Sequence, residues 1–208
     1  MKKILLVVVI IIFITLLLPL AIVWLIGGSG EGQSPIESGT VSVYVSEEDC
    51  VKDMDINEYL KCVVAAEMPA DFEEEALKAQ AVAARTYLYS HIAEKDKGNI
   101  AESHNGAAIC TDSTHCQAYI SEDKRRESWG DSADENWNKI STAVDETTGQ
   151  IITYNDEIIS AVFHSTSSGI TESAVDVWGA DVPYLQSVAS AGDEESPKYH
   201  SELTLSEQ

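Results

Sequence analysis

From Ile4 to Ile26 the chain carries no charged or strongly polar side chain, and Met1, Lys2 and Lys3 stand directly in front of that run. As a helix rising about 1.5 Å per residue it would reach about 34 Å, enough to cross a bilayer. A secretory signal peptide begins in the same way. Its apolar core, however, is roughly 7–15 residues long and ends at an A-x-A-like cleavage site, and no clear site of that kind follows here. The expectation is a short cytoplasmic N-terminus and retained transmembrane anchor over residues 1–26, with a cleaved leader as the alternative. Lysines before the span and acidic residues after it orient the N-terminus inward. The chain is therefore expected to be a single-pass cell-membrane protein with its bulk outside the cytoplasm.

Residues 27–39 open with Gly27, Gly28, Ser29 and Gly30 and continue through Gln33, Ser34 and Pro35. Such a stretch loses too much entropy on ordering to pack as a core and reads as a flexible tether. The remainder, 40–208, is long enough for one extracytoplasmic domain. Apart from Lys2 and Lys3, eleven basic residues face 35 acidic ones, a balance of about −24. That argues against nucleic acid and anionic lipid as partners and leaves a neutral or weakly charged ligand, such as a sugar chain, open.

Ile56, Tyr59, Leu60, Val63 and Val64 recur at three- and four-residue spacing, the signature of one buried helical face between Ile56 and Met68. Glu67 continues that face, so its carboxyl is expected in a partly desolvated setting that favours the protonated acid. Pro69 stops the helix, having no N–H and biasing its predecessor away from helical angles. A second helix is expected from Phe72 to about Ala93, with Asp71 and Glu74 as a capping-box-like start. Ala76, Ala79, Ala83 and Ala84 allow a close neighbour. The product is a helical hairpin with Glu67 near its corner.

His104, Cys110, His115 and Cys116 fall within thirteen residues, amid the turn-prone Thr111, Asp112, Ser113 and Thr114. Two imidazoles and two thiolates satisfy tetrahedral zinc, and four protein ligands leave no place for an activated water, so such a metal would be structural. A Cys110–Cys116 disulfide is the alternative in an oxidising compartment. Cys50 and Cys62 stand outside the cluster; Cys62 reads as an ordinary small residue on a helix, with a second bridge between the two as the alternative.

Gln150 to Tyr154 and Ile158 to His164 are short β-branched and apolar runs separated by Asn155, Asp156 and Glu157, a pattern for a β-hairpin. The hydroxyls, amides and aromatic planes of Phe163–Gly169, Thr171–Ser173, Asp176–Gly179 and Pro183–Leu185 suit a saccharide. Short antiparallel strands with a helical hairpin make the fold class α+β.

The stretch Val63-Val64-Ala65-Ala66-Glu67-Met68-Pro69-Ala70, continued by Phe72 and by Glu75 through Tyr87, resembles the signature of the stage II sporulation protein D family. The resemblance continues through Ile109–Tyr119 and through Phe163–Gly169 and Val177–Gly179. It implies a peptidoglycan lytic transglycosylase in which Glu67 is the catalytic acid. Glu67 would protonate the glycosidic oxygen between N-acetylmuramic acid and N-acetylglucosamine, then accept the proton of the muramic C6 hydroxyl as a 1,6-anhydro end closes.

The resemblance also implies a substrate-binding set of Arg85, His164, Ser165, Ser167, Trp178 and Tyr184, with a structural ion pair in the hairpin as the alternative role of Arg85. For His104, Cys110, His115 and Cys116 it implies zinc. Its implied partners are peptidoglycan glycan strands stripped of peptide, a wall amidase and a membrane organiser of the engulfment machinery. A glycan-binding scaffold without turnover and a zinc-dependent wall amidase are the rival functions.

Two positions depart from the family pattern. Ser168 stands in place of the first of two glycines, and Gln186 in place of a common Lys. The resemblance runs from about Thr40 to Tyr199, so the family's C-terminal part is not expected within this chain.

Overall fold

The computed structural model describes residues 39–196, 199, 200 and 202. The anchor expected over 1–26 lies outside those residues, as does the linker apart from Gly39. No helix among the described residues is long and apolar enough to cross a membrane.

The chain enters through strand β1 (Thr40–Val45), turns, and returns as β2 (Cys50–Asp55) in antiparallel register, Thr40 opposite Asp55 and Val45 opposite Cys50. Along β1 the valines alternate with Ser42 and Tyr44. Val41, Val43 and Val45 are buried, while the intervening side chains face outward, as a two-residue period requires. A short strand β3 (Ile109–Cys110) joins β1 on its other side in parallel register, Val43 with Ile109 and Tyr44 with Cys110. The sheet order is therefore β2-β1-β3.

Helix α1 (Ile56–Glu67) follows β2 without a loop, because the Asp55 carboxylate accepts from the backbone amides of Asn57 and Glu58 at 2.9 and 3.1 Å. All five apolar residues of the expected stripe are buried, and Cys62 and Ala65 are buried beside them. Met68 is extended, φ −131° and ψ 134°, as the residue before a proline must be. Helix α2 (Glu74–Asp96) begins two residues later than the sequence implies. Its N-cap is Glu73, with no side-chain capping bond, so the capping box on Asp71 and Glu74 does not form. Leu77, Ala81, Ala84 and Leu88 are fully buried, and their spacing turns one face of α2 onto the core.

Two helices follow that hydrophobic patterning around the hairpin did not disclose, α3 (Glu122–Trp129) and α4 (Ala133–Glu146). The buried face of α4 is Trp137, Ile140, Ala143 and Val144, and it packs against α1 and α2. The expected hairpin near residue 155 forms, but is shorter and tighter. β4 (Thr153–Tyr154) pairs with β5 (Glu157–Ile158) across Asn155 and Asp156, which both take positive φ, 51° and 64°. Only Asn and Asp among side-chain-bearing residues adopt that pair of angles readily. Residues 159–164, expected to continue the strand, form no ladder. A single helical turn, α5 (Ala174–Trp178), is capped by the Ser173 hydroxyl. The fold is α+β, with one parallel pairing beside the expected antiparallel ones.

Candidate active site and metal-binding cluster

Glu67 is the last residue of α1 and is half-buried. Its Oε1 accepts a hydrogen bond from the Ala118 backbone amide at 2.7 Å, and among the described residues no other donor reaches the carboxylate. The segment supplying that amide runs beside α1. Ile120 donates its N–H to the Cys62 carbonyl at 3.4 Å, and Tyr119 stacks on Tyr59 with ring centroids 5.8 Å apart. A carboxyl with one oxygen fixed by a backbone donor keeps its second oxygen available for proton transfer. Sequence reasoning missed Ala118, since a backbone donor leaves no trace in residue type.

Ala118 lies two residues beyond Cys116, where the sequence-predicted His and Cys residues converge. The ligand atoms of His104, Cys110, His115 and Cys116 all lie within 4.8 Å of one another. His104 Nε2 is 3.0 Å from His115 Nδ1 and 3.2 Å from Cys116 Sγ, and Cys110 Sγ is 3.7 Å from His115 Nδ1. Zinc bonds of about 2.0–2.3 Å in a tetrahedron place ligands roughly 3.3–3.8 Å apart, so these residues fit a closed site for such an ion. Cys110 and Cys116 are free thiols, not the disulfide held as the alternative.

The local structure assembles this set without strain. A 3-10 turn over Glu102–His104 is closed by Asn105 in the left-handed region, φ 52°. The Asp112 carboxylate accepts from the Thr114 amide and hydroxyl, shaping the turn before His115. The other ring nitrogen of His115, Nε2, lies 3.1 Å from the Ser103 hydroxyl, an outer-shell contact that orients a ligating imidazole. Burial, then the neighbouring His115 and His91, lower the His104 pKa from its ordinary value, favouring the neutral ring that ligates metal. Burial pushes the Cys116 thiol up to about 11. Cys50 is free on β2, and Cys62 is a buried free thiol on α1, as expected of a small helical residue.

Arg85 has a different place from the substrate-binding one assigned by resemblance. Its guanidinium is 1% exposed and donates to the Thr147 carbonyl (2.6 Å), the Thr147 hydroxyl (3.2 Å), the Val144 carbonyl (2.9 Å) and Asn57 Oδ1 (3.3 Å). Those carbonyls lie at the C-terminal end of α4, where Val144 also accepts from the Thr147 hydroxyl at 3.1 Å and Thr147 from the Gln150 amide at 3.0 Å. Arg85 therefore ties α2 to α4, and among the described residues it makes no ion pair.

The remaining predicted binding residues lie on the segment beyond β5. A cavity of about 370 Å³ is lined there by Phe163, His164, Ser167, Glu172 and Trp178, among others. Ser167 is held by Asp193, whose carboxylate accepts from the Ser167 amide at 2.9 Å and from its hydroxyl. Ser165 is exposed and outside that lining. Tyr184 is outside it too; its hydroxyl accepts from the Ser160 amide at 3.0 Å and its ring lies 5.4 Å from that of Tyr154. Positive φ falls on Gly169 (94°) and not on Ser168, so a side chain at 168 is tolerated. The Gln186 amide is occupied locally, donating to the Val182 carbonyl at 2.8 Å.

The Glu67 carboxyl at the end of α1 and the His2Cys2 cluster thus belong to one mixed α+β domain. The stage II sporulation protein family model matches residues 44–154, which include both features, and the chain belongs to the stage II sporulation protein D family. It is 38% identical over 179 residues to stage II sporulation protein D of Bacillus subtilis, covering 85% of this chain and 51% of that protein. The counterpart from Bacillus amyloliquefaciens is 39% identical over 174 residues, covering 84% of this chain and 48% of that one. An amidase enhancer of Bacillus subtilis is 36% identical over 149 residues, 72% of this chain and 17% of its own length. The chain spans about half the length of the two stage II sporulation proteins it matches.

Proposed function

We propose that this chain cleaves the bond between N-acetylmuramic acid and N-acetylglucosamine in peptidoglycan, during the engulfment step of sporulation, as a lytic transglycosylase. The observation that carries this reading is the Glu67 carboxyl, fixed through Oε1 by the Ala118 amide and otherwise free of protein donors among the described residues. Glu67 gives its proton to the glycosidic oxygen as the bond breaks through an oxocarbenium-like state. The resulting carboxylate takes the proton of the muramic C6 hydroxyl while that oxygen closes on C1. Because the nucleophile belongs to the sugar, one carboxyl serves both steps.

The cavity around His164, Ser167 and Trp178 offers an aromatic plane and hydroxyls for a glycan. His104, Cys110, His115 and Cys116 would hold a zinc ion whose chemical contribution is a cross-link between neighbouring chain segments. The apolar run over Ile4–Ile26 anchors the chain in the cell membrane with this domain outside. Its partners in this reading are peptide-stripped glycan strands, a wall amidase and a membrane organiser. Similarity to a protein named an amidase enhancer supports the second of these.

The decisive experiment is digestion of purified peptide-stripped glycan with the full chain and with Glu67→Gln, read by mass spectrometry for 1,6-anhydro ends. Anhydro products from the parent and none from the variant support the reading. Binding without product from the parent supports a scaffold instead, and cleavage that survives Glu67→Gln but stops on chelation supports a metal-dependent hydrolase.

A further inference from the structure

Pro69 creates a deficit at the end of α1. In a continuing helix the Ala65 carbonyl would accept from the amide of residue 69, and proline has none. The Met68 amide is already given to the Val64 carbonyl at 3.0 Å. Ala65 is fully buried, so solvent is poorly placed to make up the loss, and a buried carbonyl left unpaired is costly.

Arg125 on α3 fills this gap. Its Nε donates to the Ala65 oxygen at 2.8 Å and its Nη2 donates to the same atom. The guanidinium also lies over the Trp129 ring, 5.2 Å from the centroid, which holds the fork in place. The neighbouring Arg126 behaves differently and pairs with Glu122 and Asp134, whereas among the described residues Arg125 pairs with no carboxylate. A cation at this point also opposes the negative end of the α1 dipole.

Arg125 and Ala118 belong to one continuous stretch, and that stretch grips the end of α1 at three successive points. Ile120 N–H meets the Cys62 carbonyl, Arg125 meets the Ala65 carbonyl, and Ala118 N–H meets the Glu67 carboxylate. The middle contact sits two residues before the carboxyl. It sets the direction in which the last turn delivers Glu67 to Ala118.

We infer that Arg125 is a positioning residue: by supplying the donor that Pro69 withholds, it fixes the final turn of α1 and thereby the Glu67 carboxyl. The catalytic consequence rests on Glu67 being the acid, as proposed above; the positioning itself does not. In Arg125→Met the Ala65 carbonyl has no donor, the last turn loosens, and the Glu67–Ala118 bond is made only part of the time. Arg125→Lys keeps a single donor without the fork and recovers part of the effect.

The test uses the full chain and two readouts. Hydrogen–deuterium exchange by mass spectrometry, on the peptide covering residues 117–120, reports the Ala118 contact without reference to turnover. Steady-state cleavage of soluble peptide-stripped glycan reports kcat and KM separately. The expected result for Arg125→Met is faster exchange in that peptide and a kcat lowered at least ~10-fold with KM changed less than ~2-fold, and for Arg125→Lys an intermediate value of both. Exchange unchanged in 117–120 for Arg125→Met overturns the inference, as does a loss spread evenly over all peptides that Arg125→Lys fails to reduce. Faster exchange confined to 117–120 in a protein whose cleavage survives Glu67→Gln supports the positioning and instead removes the acid role of Glu67.

Discussion

The Ala118 amide points its hydrogen at Glu67 Oε1 across 2.7 Å, joining the end of α1 to a segment that begins at Cys116. One oxygen is thereby made an acceptor in the resting state, and in the proposed reaction proton delivery would fall to the other. Glu67→Gln should keep this contact, because an amide oxygen accepts as a carboxylate does, while losing the proton. The expected outcome is cleavage reduced by at least ~100-fold with a melting temperature within about 2 °C of the parent, checked by anhydro-end mass spectrometry and thermal denaturation. Glu67→Asp retracts the carboxyl by one methylene and should fall between the two.

The His2Cys2 cluster should bind one zinc ion per chain. Elemental analysis of the purified protein measures the stoichiometry, and His104→Ala or Cys116→Ser should lower it to near zero. Removal of the metal should also lower the melting temperature, because a four-ligand site adds its binding free energy to folding. With Cys116 pushed up to about 11 in the metal-free state, loading near neutral pH must displace its proton. Proton release measured in weak buffer on titration with zinc checks that sign.

Arg85→Met should destabilise the fold by roughly 2–4 kcal/mol, since it removes the buried guanidinium's hydrogen bonds to the Val144 and Thr147 carbonyls, the Thr147 hydroxyl and Asn57 Oδ1. That corresponds to a fall in melting temperature of about 4–16 °C for a domain of this size. A binding role would instead show as weakened glycan affinity with stability unchanged.

Asp193 tests the wall of the cavity. Hydrogen bonds from Ser167, then from Ser190, hold its carboxyl below the ordinary 3.8. A depressed folded-state pKa means that the stabilisation is present above the unfolded value and is lost as pH falls through the folded one. The Ser167 amide resonance should therefore titrate with a midpoint below 3.8, and Asp193→Asn should remove that titration.

Much of this architecture was legible in the residues, and what was not has physical causes. The α1 stripe from Ile56 to Val64 is read directly because a helix burying one face must repeat its apolar residues at that interval. Pro69 marks the boundary equally plainly. The four ligand residues stand close in sequence, and turn-forming Asp112 and Asn105 bring them together. Arg85 was misplaced because a long cation near a candidate acid looks the same in sequence whether it meets a ligand or a helix end. Its partners, Val144 and Thr147, lie about 60 residues away and act through their carbonyls. The role of Arg125 was recoverable in principle, since Pro69 announces an orphaned carbonyl, but which of 13 cations answers it is a question of tertiary packing. The strand expected over 158–164 stops at Ile158 because a ladder requires a neighbour that local patterning does not supply.

Beyond β4 the surface carries Val162, Phe163, Ile170, Val175, Val177, Trp178 and Val188, each more than two-fifths exposed, on a chain of formal charge −22. Two such molecules in solution meet an attraction of short range and a repulsion of longer range, and the latter is weakened by added salt and by acid that neutralises carboxylates. Concentrated salt or mild acid should therefore make the protein self-associate well before it unfolds, and dilute, slightly alkaline buffer should keep it dispersed.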